Sequence, residues 1–113
     1  MIQIYHNSRC GKSRNCLLEL QHSKKDFEII NYLINPPSFD ELSSIIEKLN
    51  INPIDLVRKK EQIWIDQYKD QKMSDQEIIT AMITHPILIE RPIVIKDNKA
   101  IIARDLEKLE GFI

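Results

Sequence analysis

The stretch Ile2-Gln3-Ile4-Tyr5-His6-Asn7-Ser8-Arg9-Cys10-Gly11-Lys12-Ser13-Arg14-Asn15-Cys16-Leu17-Leu18-Glu19-Leu20 decides the fold. Ile2, Ile4 and Tyr5 read as a short strand, Asn7, Ser8 and Gly11 as a turn, and Leu17 and Leu20 as the stripe of a following helix. Downstream, Phe27, Ile29, Ile30 and Tyr32 predict a second strand, closed by Asn35-Pro36-Pro37, which excludes helix continuation. The first unit is therefore βαβ.

Beyond it, Ser38 with Glu41 and Ser74 with Glu77 are capping-box pairs that introduce the apolar stripes Phe39-Leu42-Ile46-Leu49 and Ile78-Ile79-Met82-Ile83. Between them Asn52-Pro53 restarts a short helix through Leu56 and Val57, and His85-Pro86 stops the last one. Ile93 to Ile95 and Ala100 to Ala103 read as two strands joined at Asp97-Asn98, residues that tolerate the positive φ of a tight hairpin. A last short helix is predicted from Asp105 to Glu110. The order is βαβ, a helical insert, then ββα, an α/β chain with a mixed sheet flanked by helices.

The chain's 113 residues, 42% of them hydrophobic, predict one domain over 1–113 with a helical insertion at about 38–90. A formal charge of -1, from 16 basic and 17 acidic residues, removes the global electrostatic case for nucleic acid or an anionic membrane as partner. No apolar run approaches the roughly 20 residues a membrane span requires, and no basic start leads into an apolar segment. A cytoplasmic protein is expected, with its two cysteines reduced.

Cys10 stands where loop becomes helix, so unpaired N–H groups and the positive end of the helix dipole should favour its thiolate. Arg9, Lys12 and Arg14 surround it, and no acidic residue precedes Glu19. The same environment attracts anions. A thiolate beside an oxyanion needs further cations, and Arg58, Arg91 and Arg104 are candidates, each beside an element boundary. Cys16 shares a stripe with Ser13, Leu17 and Leu20 and reads as packing, as do Trp64 and Tyr68; His6 is open between a core or turn histidine and a site residue.

Competing motifs fail on spacing. Gly11-Lys12-Ser13 would need a P-loop glycine at His6, an anion loop of the form Cys-x5-Arg would need arginine at Cys16, and a Cys-x-x-Cys pair would need cysteine at Ser13. Cys10, Cys16, His6, His22 and His85 lack paired zinc-ligand spacing, so no metal is expected.

The segment Ile4 to Asn15, followed in order by Asn35-Pro36-Pro37-Ser38, Val57-Arg58-Lys59-Lys60, His85-Pro86-Ile87-Leu88-Ile89 and Glu90-Arg91-Pro92-Ile93-Val94, resembles the glutaredoxin-dependent arsenate reductases of the ArsC/Spx type. The resemblance spans nearly the whole chain and implies a thioredoxin-like fold. It implies that Cys10 is the nucleophile, that His6 shapes its environment, that Arg58, Arg91 and Arg104 bind the oxyanion, and that Pro92 is a cis proline facing the thiol. It further implies arsenate as substrate, no bound cofactor, glutathione as co-substrate and glutaredoxin as partner. Ser8, Lys12 and Asp105 depart from the family pattern, and the chain stops soon after Arg104, which resembles a shorter branch. The alternatives are a thiol oxidoreductase with another substrate and a Spx-like regulator binding RNA polymerase, although the latter typically carries the Cys-x-x-Cys that Ser13 contradicts.

Overall fold

The computed structural model describes residues 1–113, which divide into two compact units, 1–35 with 91–113, and 36–90. The first holds strand β1 (Ile2–Tyr5), helix α1 (Gly11–His22) and strand β2 (Phe27–Ile30). Strands β3 (Ile93–Lys96) and β4 (Lys99–Ile102) and helix α5 (Leu106–Phe112) complete it. The four strands form one sheet in the order β2-β1-β3-β4, with β1 parallel to β2 and antiparallel to β3, and β3 antiparallel to β4. It is the mixed sheet expected from the order of elements.

Period-2 alternation in the strands puts Ile2, Ile4 and Val94 on the face that receives Cys16 and Leu20 of α1 and Leu109 of α5. Each fully buried aliphatic side chain of this cluster is worth about 1.5–3 kcal/mol of transfer free energy. The β3–β4 hairpin turns on Asp97, which alone of the expected pair takes positive φ, at 56°. Strand β2 ends at Ile30, short of the expected Tyr32, which is fully buried beyond the strand. A large apolar side chain can reach a core from a turn, so its hydrophobicity did not fix its strand membership.

The second unit is helical: α2 (Phe39–Leu49), a 3₁₀ turn (Pro53–Leu56), α3 (Gln62–Gln67), α4 (Asp75–Thr84) and a second 3₁₀ turn (Pro86–Leu88). Both capping boxes form. Ser38 Oγ accepts from the Glu41 N–H at 3.1 Å and Ser74 Oγ from the Glu77 N–H at 3.2 Å, while each glutamate accepts in return from the serine N–H. Helix α4 packs against α2 and against both 3₁₀ turns. Trp64 and Tyr68 stack with ring centroids 5.5 Å apart, and His85 meets Tyr68 edge-on at 6.1 Å, so these aromatics are packing elements of this unit. Nowhere is a helix long and apolar enough to cross a membrane.

Candidate active site

The sheet register brings distant segments of the first unit to one end of the strands. Tyr5 pairs with Ile30 and with Ile93, and Ile93 pairs with Ile102, so His6, Pro92 and Ala103 follow at that same end. The His6 N–H donates to the Ile30 carbonyl at 2.9 Å and the Ala103 N–H to the Pro92 carbonyl at 2.8 Å. Arg91, before β3, and Arg104, after β4, therefore lie at this same end of the sheet, and the Arg91–Pro92 peptide bond is cis.

Cys10 is the N-cap residue of α1, in extended conformation, with its thiol half-buried. A serine or aspartate in this position would cap the helix through a side-chain oxygen. As a neutral thiol Cys10 makes no cap bond, but ionisation changes the balance. Burial opposes the charge and is the largest single influence, yet the backbone N–H groups of Ser13 and Lys12 and the Arg91 guanidinium together outweigh it. The thiol is held below its ordinary titration range.

The cation that acts on the thiolate is Arg91, itself only 6% exposed, whereas Arg9, Lys12 and Arg14 all lie exposed. Sequence proximity misplaces the effect because long exposed side chains are screened by water, and a buried guanidinium is not. Arg14 instead braces the loop, donating from Nη1 to the Ser8 carbonyl at 3.1 Å. Arg104 is exposed at the end of β4. Arg58 belongs to the second unit, where its Nε donates to Glu61 Oε1 at 2.9 Å and its N–H to the Leu88 carbonyl at 2.7 Å.

His6 is buried, and its Nδ1 lies 2.6 Å from Ser13 Oγ. Burial lowers its titration and the Arg14 charge adds to that, against the opposing contact with Ser13, so His6 tends toward the neutral form at pH 7. Cys16 is fully buried, and burial followed by the Glu19 carboxylate pushes its thiol up to about 12. It is protonated and enclosed, a packing residue. No three His, Cys, Asp or Glu side chains gather in an arrangement that could hold a metal ion.

Two further residues shape the site, although sequence reading assigns Asn7 only to a turn and Ser13 only to the helical stripe. Asn7, buried, accepts the Cys10 N–H on its carbonyl and the Arg9 N–H on Oδ1, both at 3.0 Å, which closes the turn from within. Ser13, fully buried, accepts the Asn7 N–H at 3.0 Å. The one available signal was a hydroxyl on the apolar stripe of Cys16, Leu17 and Leu20.

A family model described as the ArsC family matches residues 5–112. An arsenate reductase of Acidiphilium multivorum is 42% identical over 95 residues, covering 83% of this chain and 67% of that protein. One from Neisseria meningitidis serogroup A is 36% identical over 112 residues, covering 97% of this chain and 96% of that one. The solved structure of an arsenate reductase from Vibrio cholerae superposes with a TM-score of 0.92 at 34% identity, covering 99% of this chain and 97% of the other.

Proposed function

The chain belongs to the ArsC family, and on that premise we propose that it is an arsenate reductase whose nucleophile is Cys10. The observation that carries this reading is the placement of Cys10 at the start of α1, facing helix N–H groups and the buried Arg91 guanidinium. That environment favours both a thiolate and a tetrahedral oxyanion. Because the two anions repel, fixed cations must hold them together; Arg91 offers a planar fork, and Arg104 stands across the strand end. Arg58 is a third candidate, tested by its own substitution.

In the first step the Cys10 sulfur attacks arsenic(V). An S–As bond forms and one arsenate oxygen leaves as water after taking up two protons, with no change of oxidation state. A second thiol must then supply electrons. Position 13 is serine, and Cys16 is enclosed and protonated, so the chain has no thiol placed to do so. This supports glutathione as the external reductant. Its thiolate attacks the Cys10 sulfur, the S–As electron pair passes to arsenic, arsenite leaves, and a Cys10–glutathione disulfide remains. Glutaredoxin with further glutathione restores the thiol by exchange. Both cysteines are free, which suits a reducing compartment, and we place the protein in the cytoplasm.

The test is arsenite release from arsenate by purified protein with glutathione and glutaredoxin. Wild type should turn over and Cys10→Ser should not; equal rates, or no turnover by either, overturns the reading.

A further inference from the structure

Ser13 is a buried polar group that the reaction, as written, does not use. It lies in the first turn of α1, fully buried, with its hydroxyl meeting two consecutive residues that precede the helix. On one side stands His6 Nδ1 at 2.6 Å and on the other the Asn7 N–H at 3.0 Å. His6 is in turn fixed to the sheet through its N–H on the Ile30 carbonyl, and Asn7 holds the N–H groups of Arg9 and Cys10. A single hydroxyl oxygen thus ties the end of β1 and the whole Asn7–Cys10 turn to the helix.

A fully buried hydroxyl is retained at a desolvation penalty, which its partners must offset. If it served only to fill space, alanine would do so without that penalty. We propose that Ser13 is a positioning residue of the arsenate reduction proposed above: through His6 and Asn7 it fixes the turn so that Cys10 stays against the first N–H groups of α1 and the Arg91 guanidinium. The Ser13 backbone N–H faces the Cys10 sulfur and survives substitution of the side chain; the hydroxyl itself does not touch the reacting atoms. It acts through the turn, and the inference rests on Cys10 being the nucleophile.

The turn has few other ties to the helix. The Arg14 N–H donates to the Cys10 carbonyl at 3.0 Å, which is ordinary helix continuation, and the Arg14 side chain reaches the Ser8 carbonyl from the exposed side. Without the Ser13 hydroxyl, the buried Asn7 N–H loses its acceptor and His6 its partner. The turn is then free to relax, and the thiolate loses its alignment with the helix N–H groups.

The test is the rate of Cys10 alkylation by iodoacetamide against pH in a Cys16→Ala background, for Ser13→Ala, His6→Ala and the double variant, with thermal unfolding recorded for each. Ser13→Ala should move the midpoint toward that of a free thiol and slow alkylation at pH 7 by about three- to tenfold, the range of one modest hydrogen bond. The double variant should be within about twofold of Ser13→Ala, because His6 acts through the same oxygen. In arsenate turnover kcat should fall with the thiolate fraction while KM holds. A folded Ser13→Ala protein that alkylates like its parent overturns the assignment, and so does a double variant slowed by the product of the two single effects. Alkylation needs no arsenate. Failure of wild type to reduce arsenate, with the Ser13 effect intact, would remove the proposed function and leave the positioning of Cys10 standing.

Discussion

Cys10 and Cys16 belong to one helical segment, six positions apart, and their chemistry is opposite. At the helix start, unpaired N–H groups and a buried guanidinium lower the thiol's titration despite burial. Less than two turns on, every N–H is committed to the helix, the surroundings are Ile2, Ile4 and Leu20, and the thiol is pushed up to about 12. The residue type is the same, and so is the helix. What differs is whether the helix end or the helix flank faces the sulfur, and only the end offers partial positive charge.

The strongest way to break this comparison is to exchange the two roles. Cys10→Ser should lower arsenate turnover by about a thousandfold or more, since it removes the nucleophile, whereas Cys16→Ala should retain turnover within about twofold. Arsenite release by the two variants checks this, and loss confined to Cys16→Ala would reverse the assignment. Next in size is the cation. Arg91→Lys keeps the charge but loses the planar fork, and should reduce kcat/KM for arsenate about ten- to a hundredfold, the range of a charged hydrogen bond. Full activity would show that point charge alone suffices.

On the Cys16 side the effect is on stability. A buried thiol whose folded value is raised to about 12, against roughly 8.5 when unfolded, keeps its proton in the native state while the unfolded chain loses it. Its contribution is complete below pH 8.5 and falls with rising pH between 8.5 and 12, by about 1.4 kcal/mol per unit for one proton. Urea unfolding at pH 7.5 and 9.5 should therefore show a steeper loss for wild type than for Cys16→Ala; parallel losses would contradict the buried assignment. The smallest expected effects are at the exposed or separately engaged arginines. Arg104→Ala and Arg58→Ala should each lower kcat/KM by about three- to tenfold, because screening weakens the exposed Arg104 charge and Glu61 already engages that of Arg58. A larger loss at Arg58 than at Arg91 would move the centre of anion binding away from the residue that faces Cys10.

The elements that sequence alone determined are those written in local chemistry. The capping boxes at Ser38 and Ser74 depend on residues three apart, and both form. The apolar alternation of Ile2 and Ile4, the prolines after β2 and before β3, and the position of Cys10 at a helix start are equally local, which is why the order of strands and helices and the mixed sheet could be read from the chain. Tertiary structure decided what depends on register and burial. Arg91 is 81 positions from Cys10 in the sequence, and it reaches the thiol only because β3 runs antiparallel to β1 with Ile93 opposite Tyr5. Burial then gave Arg91 the influence that the nearer Arg9, Lys12 and Arg14 lose to solvent. Ser13 follows the same rule. As a letter it marked a missing second cysteine, and as an enclosed hydroxyl it became the point where strand, turn and helix meet. Local preferences act over one turn of chain, while the strength of a charge or hydrogen bond is set by how much water the whole fold removes from it.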